Sequence, residues 1–255
     1  MILLCNGDSW TQGDADSQEV NWKAKPNLDW YNIIPNFGEL TARCNDRITY
    51  KFYDSDVWPK VLGRKLGVET WNCGRNGVSN ARIIRTTLHS VEYLESLGKK
   101  DLFVVVGLTS LLRYSVLMNQ KKDRWKHYKI NYKEERFIKD TYPINAEVKF
   151  KNDLIELINF QNYLKMKNIP YLIFNSFDEN MKRDWKDLSF YKDIDLTNIY
   201  NKDFKPHFRE FIEEGHNSSM FNNDEYFKFM HPTDKSHIEW GEQLNKYIRS
   251  NYEFF

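Results

Sequence analysis

The sequence predicts an α/β protein of three layers, with a mainly parallel sheet between helices, and three features predict it. Short apolar runs alternate along the chain with longer amphipathic segments, the pattern of strand–helix units. The later runs are continuously apolar, as in strands covered on both faces. A glycine-containing turn, Gly7-Asp8-Ser9-Trp10, follows the first run directly, at the strand end where such sheets carry their ligand crevice.

Ile2–Asn6 reads as the first strand, closed by that turn. Residues 56–66 read as a helix, because Pro59 is tolerated in a first turn. A second strand is expected over 68–72. Residues 80–97 form the next helix, with Ile84, Leu88 and Val91 on one face, Ser79 as N-cap and Gly98 as stop. Residues 102–107 and 170–175 are the third and fourth strands. Between them, residues 146–167 place Phe150, Leu154, Leu157 and Leu164 on one side of a helix that ends at Asn168. A closing helix over 233–250 turns Gly241, Leu244 and Ile248 inward.

The chain has 255 residues, 41% of them apolar and 16% aromatic, enough for the core of one large domain over 1–255. It shows no Gly/Ser/Pro linker, low-complexity block or internal repeat. Residues 14–54, 111–145 and 178–230 exceed the minimal frame and read as loop insertions that wall a site and set its preference. They carry Trp22, Trp30, Tyr31 and Phe37 in the first, and Trp125, His127, Tyr128 and Tyr132 in the second. Exposed aromatics of this kind suit sugar rings, which present apolar faces beside hydroxyls.

With 37 basic against 36 acidic residues the net charge is +1, which implies no general affinity for nucleic acid or an anionic membrane. The basic and aromatic stretch 121–129 is followed by Glu134 and Glu135 and reads as a solvated face. Cys5, Cys44 and Cys73 are an odd number and read as free thiols rather than a disulfide framework. No signal segment and no run of eighteen apolar residues is present, so a cytoplasmic or virion-associated location is expected. His89, His127, His207 and His216 lack metal-ligand spacing, and no phosphate-binding glycine loop occurs. No metal or nucleotide cofactor is therefore expected.

Ser9 is the candidate nucleophile. An Asp-Ser pair is also common in plain turns and helix caps, so its chemistry depends on a base. A serine hydroxyl needs one near neutral pH, and an imidazole is best suited. His231-Pro232 and His237 lie near the other end of the chain.

Four ordered blocks surround these residues: Gly7-Asp8-Ser9-Trp10-Thr11-Gln12-Gly13, Asn72-Cys73-Gly74-Arg75-Asn76-Gly77-Val78-Ser79, Gly107-Leu108-Thr109-Ser110, and the segment from His231-Pro232 through Ser236-His237 to Gly241. With them the chain resembles the SGNH (GDSL-type) hydrolases, a flavodoxin-like α/β family of esterases, lipases, carbohydrate deacetylases and thioesterases. The resemblance implies Ser9 as nucleophile and His231 as base. It also implies an oxyanion hole from the N–H groups of Ser9 and Gly77, with Thr109 where most members carry an asparagine amide. A hydroxyl is shorter than that amide and can rotate away. Gly107-Leu108-Thr109-Ser110 followed by Arg113 resembles a phage and environmental subgroup.

Two registers compete in the last block. His231-Pro232 keeps the family's spacing, but the aspartate expected three residues earlier is Lys228. Asp234-Lys235-Ser236-His237 is a literal Asp-x-x-His but discards the proline and the spacing. Asp234 also suits a helix start. The catalytic acid is left open among Asp224, Glu225 and Asp234, or none.

The resemblance thus implies a serine ester hydrolase removing acetyl or other short acyl groups, with an acylated glycan as substrate. The alternatives are a catalytically weakened binding or structural module, associated with a glycan or a virion, and an O-acyltransferase.

Overall fold

The computed structural model describes residues 1–12, 56–74, 77–110, 113–119, 124–129, 146–177, 191–203, 205–222, 224–228 and 230–253. Along the chain come β1 (Ile2–Asn6), a single helical turn α1 (Ser9–Gln12), α2 (Trp58–Leu66), β2 (Glu69–Asn72), α3 (Asn80–Ser96) and β3 (Leu102–Leu108). A pair of strands, β4 (Arg113–Asn119) and β5 (Arg124–Lys129), precedes α4 (Ala146–Met166) and β6 (Tyr171–Asn175). After three short 3-10 turns come α5 (Phe208–His216), β7 (Phe227–Lys228), β8 (His231–Pro232) and α6 (Asp234–Asn251).

Four strands form one parallel sheet in the order β2-β1-β3-β6. The chain moves from β1 outward to β2, then returns to the other side of β1 for β3 and β6. The direction of winding therefore reverses between β1 and β3, and the carboxyl ends of these two strands frame the crevice where doubly wound sheets bind ligands.

Strand alternation divides the core in two. Ile2, Leu4, Val104, Val106 and Ile173 face the layer of α3 and α4, packing with Ile83, Val91, Leu154, Leu157 and Leu164. Leu3, Cys5, Phe103, Val105, Leu172 and Phe174 face the opposite layer, with Trp58, Leu62, Trp240, Leu244 and Ile248 of α2 and α6. All seven residues of β3 are buried, as a strand covered on both faces requires. Each fully buried large apolar side chain contributes about 1.5–3 kcal/mol. Cys5 and Cys73 are free thiols; burial, then the neighbouring Cys73, pushes the Cys5 thiol up. Cys44 lies outside the described residues.

The expected elements form with small shifts at their ends. The α2 helix starts at Trp58, because Val57 takes an extended backbone as N-cap and Pro59 occupies the first turn. Ser79 caps α3 by accepting the Arg82 N–H, and α4 ends at Met166, two residues before Asn168, whose φ is 54°. The closing helix starts at Asp234 with Thr233 as N-cap.

The insertions differ more. Residues 14–54, with Trp22, Trp30, Tyr31 and Phe37, lie outside the described residues. Within 111–145, β4 and β5 pair antiparallel, with a register shift between Leu117 and Asn119; Tyr132 lies outside. Residues 178–230 supply α5, capped reciprocally by His207 and Glu210, and β7. Among the described residues no helix is long and apolar enough to cross a membrane.

Candidate active site

The site is built from the end of β1. Asn6 ties that end to α3, its amide donating to Ile83 O (3.1 Å), Thr86 Oγ1 (2.9 Å) and Thr87 Oγ1 (2.9 Å). Its Oδ1 accepts from the Gly7 N–H at 2.8 Å. A side chain at Gly7 would place its Cβ 2.0 Å from Thr11 Oγ1 and 3.0 Å from Gly107 O, so only glycine fits between the turn and β3. Asp8 then starts α1: its backbone carbonyl accepts from Thr11 N (3.0 Å) and Gln12 N (2.9 Å), and its Oδ1 from Trp10 N (3.0 Å). Ser9 is the first residue of α1 and is 1% exposed.

Asp8 is fully buried, and its second oxygen is shared. Asp8 Oδ2 accepts from Thr109 Oγ1 at 2.7 Å and from Arg113 Nη1 at 2.8 Å. The Thr109 hydroxyl proton is thereby directed at Asp8. Asn80 fixes the Thr109 backbone from both sides, donating to its carbonyl at 3.1 Å and accepting its N–H at 2.8 Å. Asn80 also bonds Asp153, which pairs with Lys149 at 2.6 Å. Burial raises the Asp153 carboxyl's pKa, against the lowering from Lys149 and Asn80.

The turn between β2 and α3 lies against α1. Asn72 donates to Thr11 O at 2.9 Å and accepts the Gly74 N–H at 2.9 Å. A Cβ on Gly74 would stand 2.7 Å from Gln12 N. Gly77, in the same turn, has φ +73°, a conformation natural to glycine.

The opposite wall comes from the end of the chain. β7 and β8 form a minimal hairpin in which Phe227 pairs with Pro232 and Lys228 with His231. Met230, just before His231, takes φ 66° to close it. β8 lies beside α1, with Cα atoms of the two elements within 8 Å, so His231 and Ser9 sit on neighbouring elements. Trp10 holds the elements together, its ring packing on Phe177 (4.5 Å), Phe208 (5.5 Å) and Phe227 (5.8 Å).

Polar bonds brace the hairpin. Asp224 accepts from Tyr226 N, Phe227 N and Ser218 Oγ; burial works against its ionisation, and these bonds lower its pKa on balance. Asp224 is thus committed to the turn. Glu225 is exposed and pairs with Lys235 at 2.8 Å, while Asp234 occupies the first turn of α6. His237 is 1% exposed and packs against Phe208. Burial, with a smaller contribution from His231, pushes its pKa down to about 3. Neither ring nitrogen has a hydrogen-bond partner among the described residues.

Ser9 and Thr109 therefore follow the carboxyl ends of β1 and β3, and β8, which carries His231, lies beside α1. Two residues to which the motifs assigned no role in the site take part. Arg113 pairs with Asp8 across 105 positions of sequence, and Asn80 brackets Thr109. The one local signal is polarity inside apolar surroundings: Asn80 opens a helix that packs on the core, and Arg113 follows β3 by a few residues.

Fold and site together define an α/β protein with a polar crevice at its switch point. The chain belongs to a family of unknown function, DUF6071, whose model matches residues 38–253. Among curated proteins no relative matches it. Among the solved structures that resemble it are two esterases. One is of a carbohydrate esterase whose active site displays divergent catalytic and non-catalytic binding functions, at 12% identity and TM-score 0.46, over 99% of this chain and 69% of that one. The other is an acetyl xylan esterase from the rumen bacterium Butyrivibrio proteoclasticus, at 16% identity and TM-score 0.45, over 100% of this chain and 65% of that one. The chain spans about two thirds of the length of each.

Proposed function

We propose that the chain is a serine ester hydrolase of the SGNH type that removes acetyl or other short acyl groups, with an acylated carbohydrate as its substrate class. One observation supports the reading: Ser9 opens α1 at the switch point of the sheet, and β8, the strand that carries His231, lies beside α1. In this reading Ser9 Oγ attacks the acyl carbon while His231 takes its proton. His231 returns that proton to the leaving alkoxide, and water then releases the acyl group from Ser9.

The N–H groups of Ser9 and Gly77 would hold the oxyanion. Thr109 would join them only by turning its hydroxyl from Asp8. His237 is the poorer base, since an imidazole with its pKa near 3 takes up little charge at neutral pH. No acid is assigned: Asp224 serves the turn and Glu225 serves Lys235. The carbohydrate part of the reading rests on the aromatic residues of the insertions.

A second reading, a binding module with decayed catalysis, is favoured by two observations: Lys228 stands opposite His231, and the Thr109 hydroxyl is engaged with Asp8. Hydrolysis of p-nitrophenyl acetate separates the two. The first reading expects turnover by wild type, none above background by Ser9→Ala, and a loss of about 10²–10⁴-fold in His231→Ala. Equal rates for wild type and Ser9→Ala would overturn it, and an inert wild type that binds an acetylated glycan would establish the second.

A further inference from the structure

Asp8 stands directly before the candidate nucleophile. Its side chain is 0% exposed, and a buried carboxylate there would oppose any negative charge developing on an acyl oxygen nearby. Arg113 answers that charge. Its Nη1 lies 2.8 Å from Asp8 Oδ2, with the Arg113 side chain only 10% exposed, so solvent screens the pair little. Two further contacts hold Arg113 in place. Its backbone N–H donates to Ser110 O at 3.1 Å, folding the chain back after β3. The guanidinium also lies 5.6 Å from the centre of the Phe177 ring, which packs on Trp10.

We infer that Arg113 is a positioning residue of the site: through Asp8 it fixes the turn that carries Ser9 and cancels the buried negative charge that would oppose an oxyanion bound there. Asp8 receives bonds from Trp10 N on its own turn and from Thr109 and Arg113 beyond β3, so the pair spans the switch point and ties its two rims together. The planar guanidinium suits this double task, since it stacks on an aromatic ring while donating to a carboxylate. Lysine would restore the charge without the stacking. The inference rests on the reading of Ser9 as nucleophile.

Labelling of Ser9 by a fluorophosphonate probe tests it, with the full chain as wild type, Arg113→Met, Arg113→Lys, Asp8→Asn and the Asp8→Asn/Arg113→Met double variant. The maximal labelling rate of Arg113→Met should fall about 10²-fold, with the half-saturating probe concentration within about twofold of wild type, because Arg113 acts on the reacting state. Arg113→Lys should recover part of the loss. In the Asp8→Asn background, removing Arg113 should cost less than about threefold, because its partner charge is already gone. That comparison decides the matter even if Arg113→Met alone does not fold. A wild-type rate in Arg113→Met, or a loss of about tenfold or more on removing Arg113 from Asp8→Asn, overturns the inference alone. A wild-type chain that the probe does not label overturns the reading of Ser9 and this inference together.

Discussion

Burying an imidazole with neither nitrogen hydrogen-bonded costs free energy, and His237 is such a residue among those described. The consequence is a pH dependence of stability with a definite sign. An unfolded chain protonates this histidine near ~6.5, whereas the folded chain resists until about 3. Between these values the unfolded state binds more protons, so the stability present above the unfolded pKa is lost as pH falls through the window, at up to ~1.4 kcal/mol per pH unit. Urea unfolding of wild type at pH 7 and pH 5 should show that loss, and His237→Leu should show a smaller one. Equal pH slopes in the two proteins would contradict the burial. The family resemblance marked Ser9, Gly77 and His231 as candidates. The pairing of Asp8 with Arg113 was not legible in the sequence, because 105 positions separate the partners and only the return of the chain after β3 brings them together. The commitment of Asp224 to the turn was hidden for a related reason, since its partners are backbone N–H groups that any sequence supplies.

Two-residue strands have no stability of their own, so the β7–β8 hairpin depends on what it docks against. Trp10 is the main support, through its ring contact with Phe227 and its neighbours Phe177 and Phe208. Trp10→Ala should destabilise the fold by about 3–5 kcal/mol, as large-to-small core changes do. Amide exchange at Thr233, whose N–H donates to Tyr226 O, should accelerate more than at Val104 in β3. Equal acceleration at both amides would contradict this dependence. The long elements were readable in advance because their apolar faces are periodic: the four strands of the sheet and four of the helices fall within about two residues of expectation. The hairpins, α1 and α5 were not foreseen. β7 and β8 are defined by pairing with each other rather than by composition, and the single turn of α1 is set by the backbone and side-chain caps of Asp8.

At the scale of the molecule, the sheet order β2-β1-β3-β6 determines where chemistry can sit. Winding outward in both directions from β1 leaves its carboxyl end uncovered beside that of β3. The same order brings the chain's last hairpin, docked through Trp10, to the rim of that opening. This convergence of segments from opposite ends of the sequence was implied by the family resemblance alone, since periodicity locates strands but not their order. Ser9, Gly77 and His231 are expected to act at one point, and a crystal structure of the chain reacted with a fluorophosphonate tests that expectation. It should show phosphorus on Ser9 Oγ, a phosphoryl oxygen about 2.7–3.1 Å from the N–H groups of Ser9 and Gly77, and a His231 ring nitrogen within about 3.2 Å of Ser9 Oγ or the adduct. Phosphorus on another side chain, or His231 turned away with a different group at that distance, would contradict it.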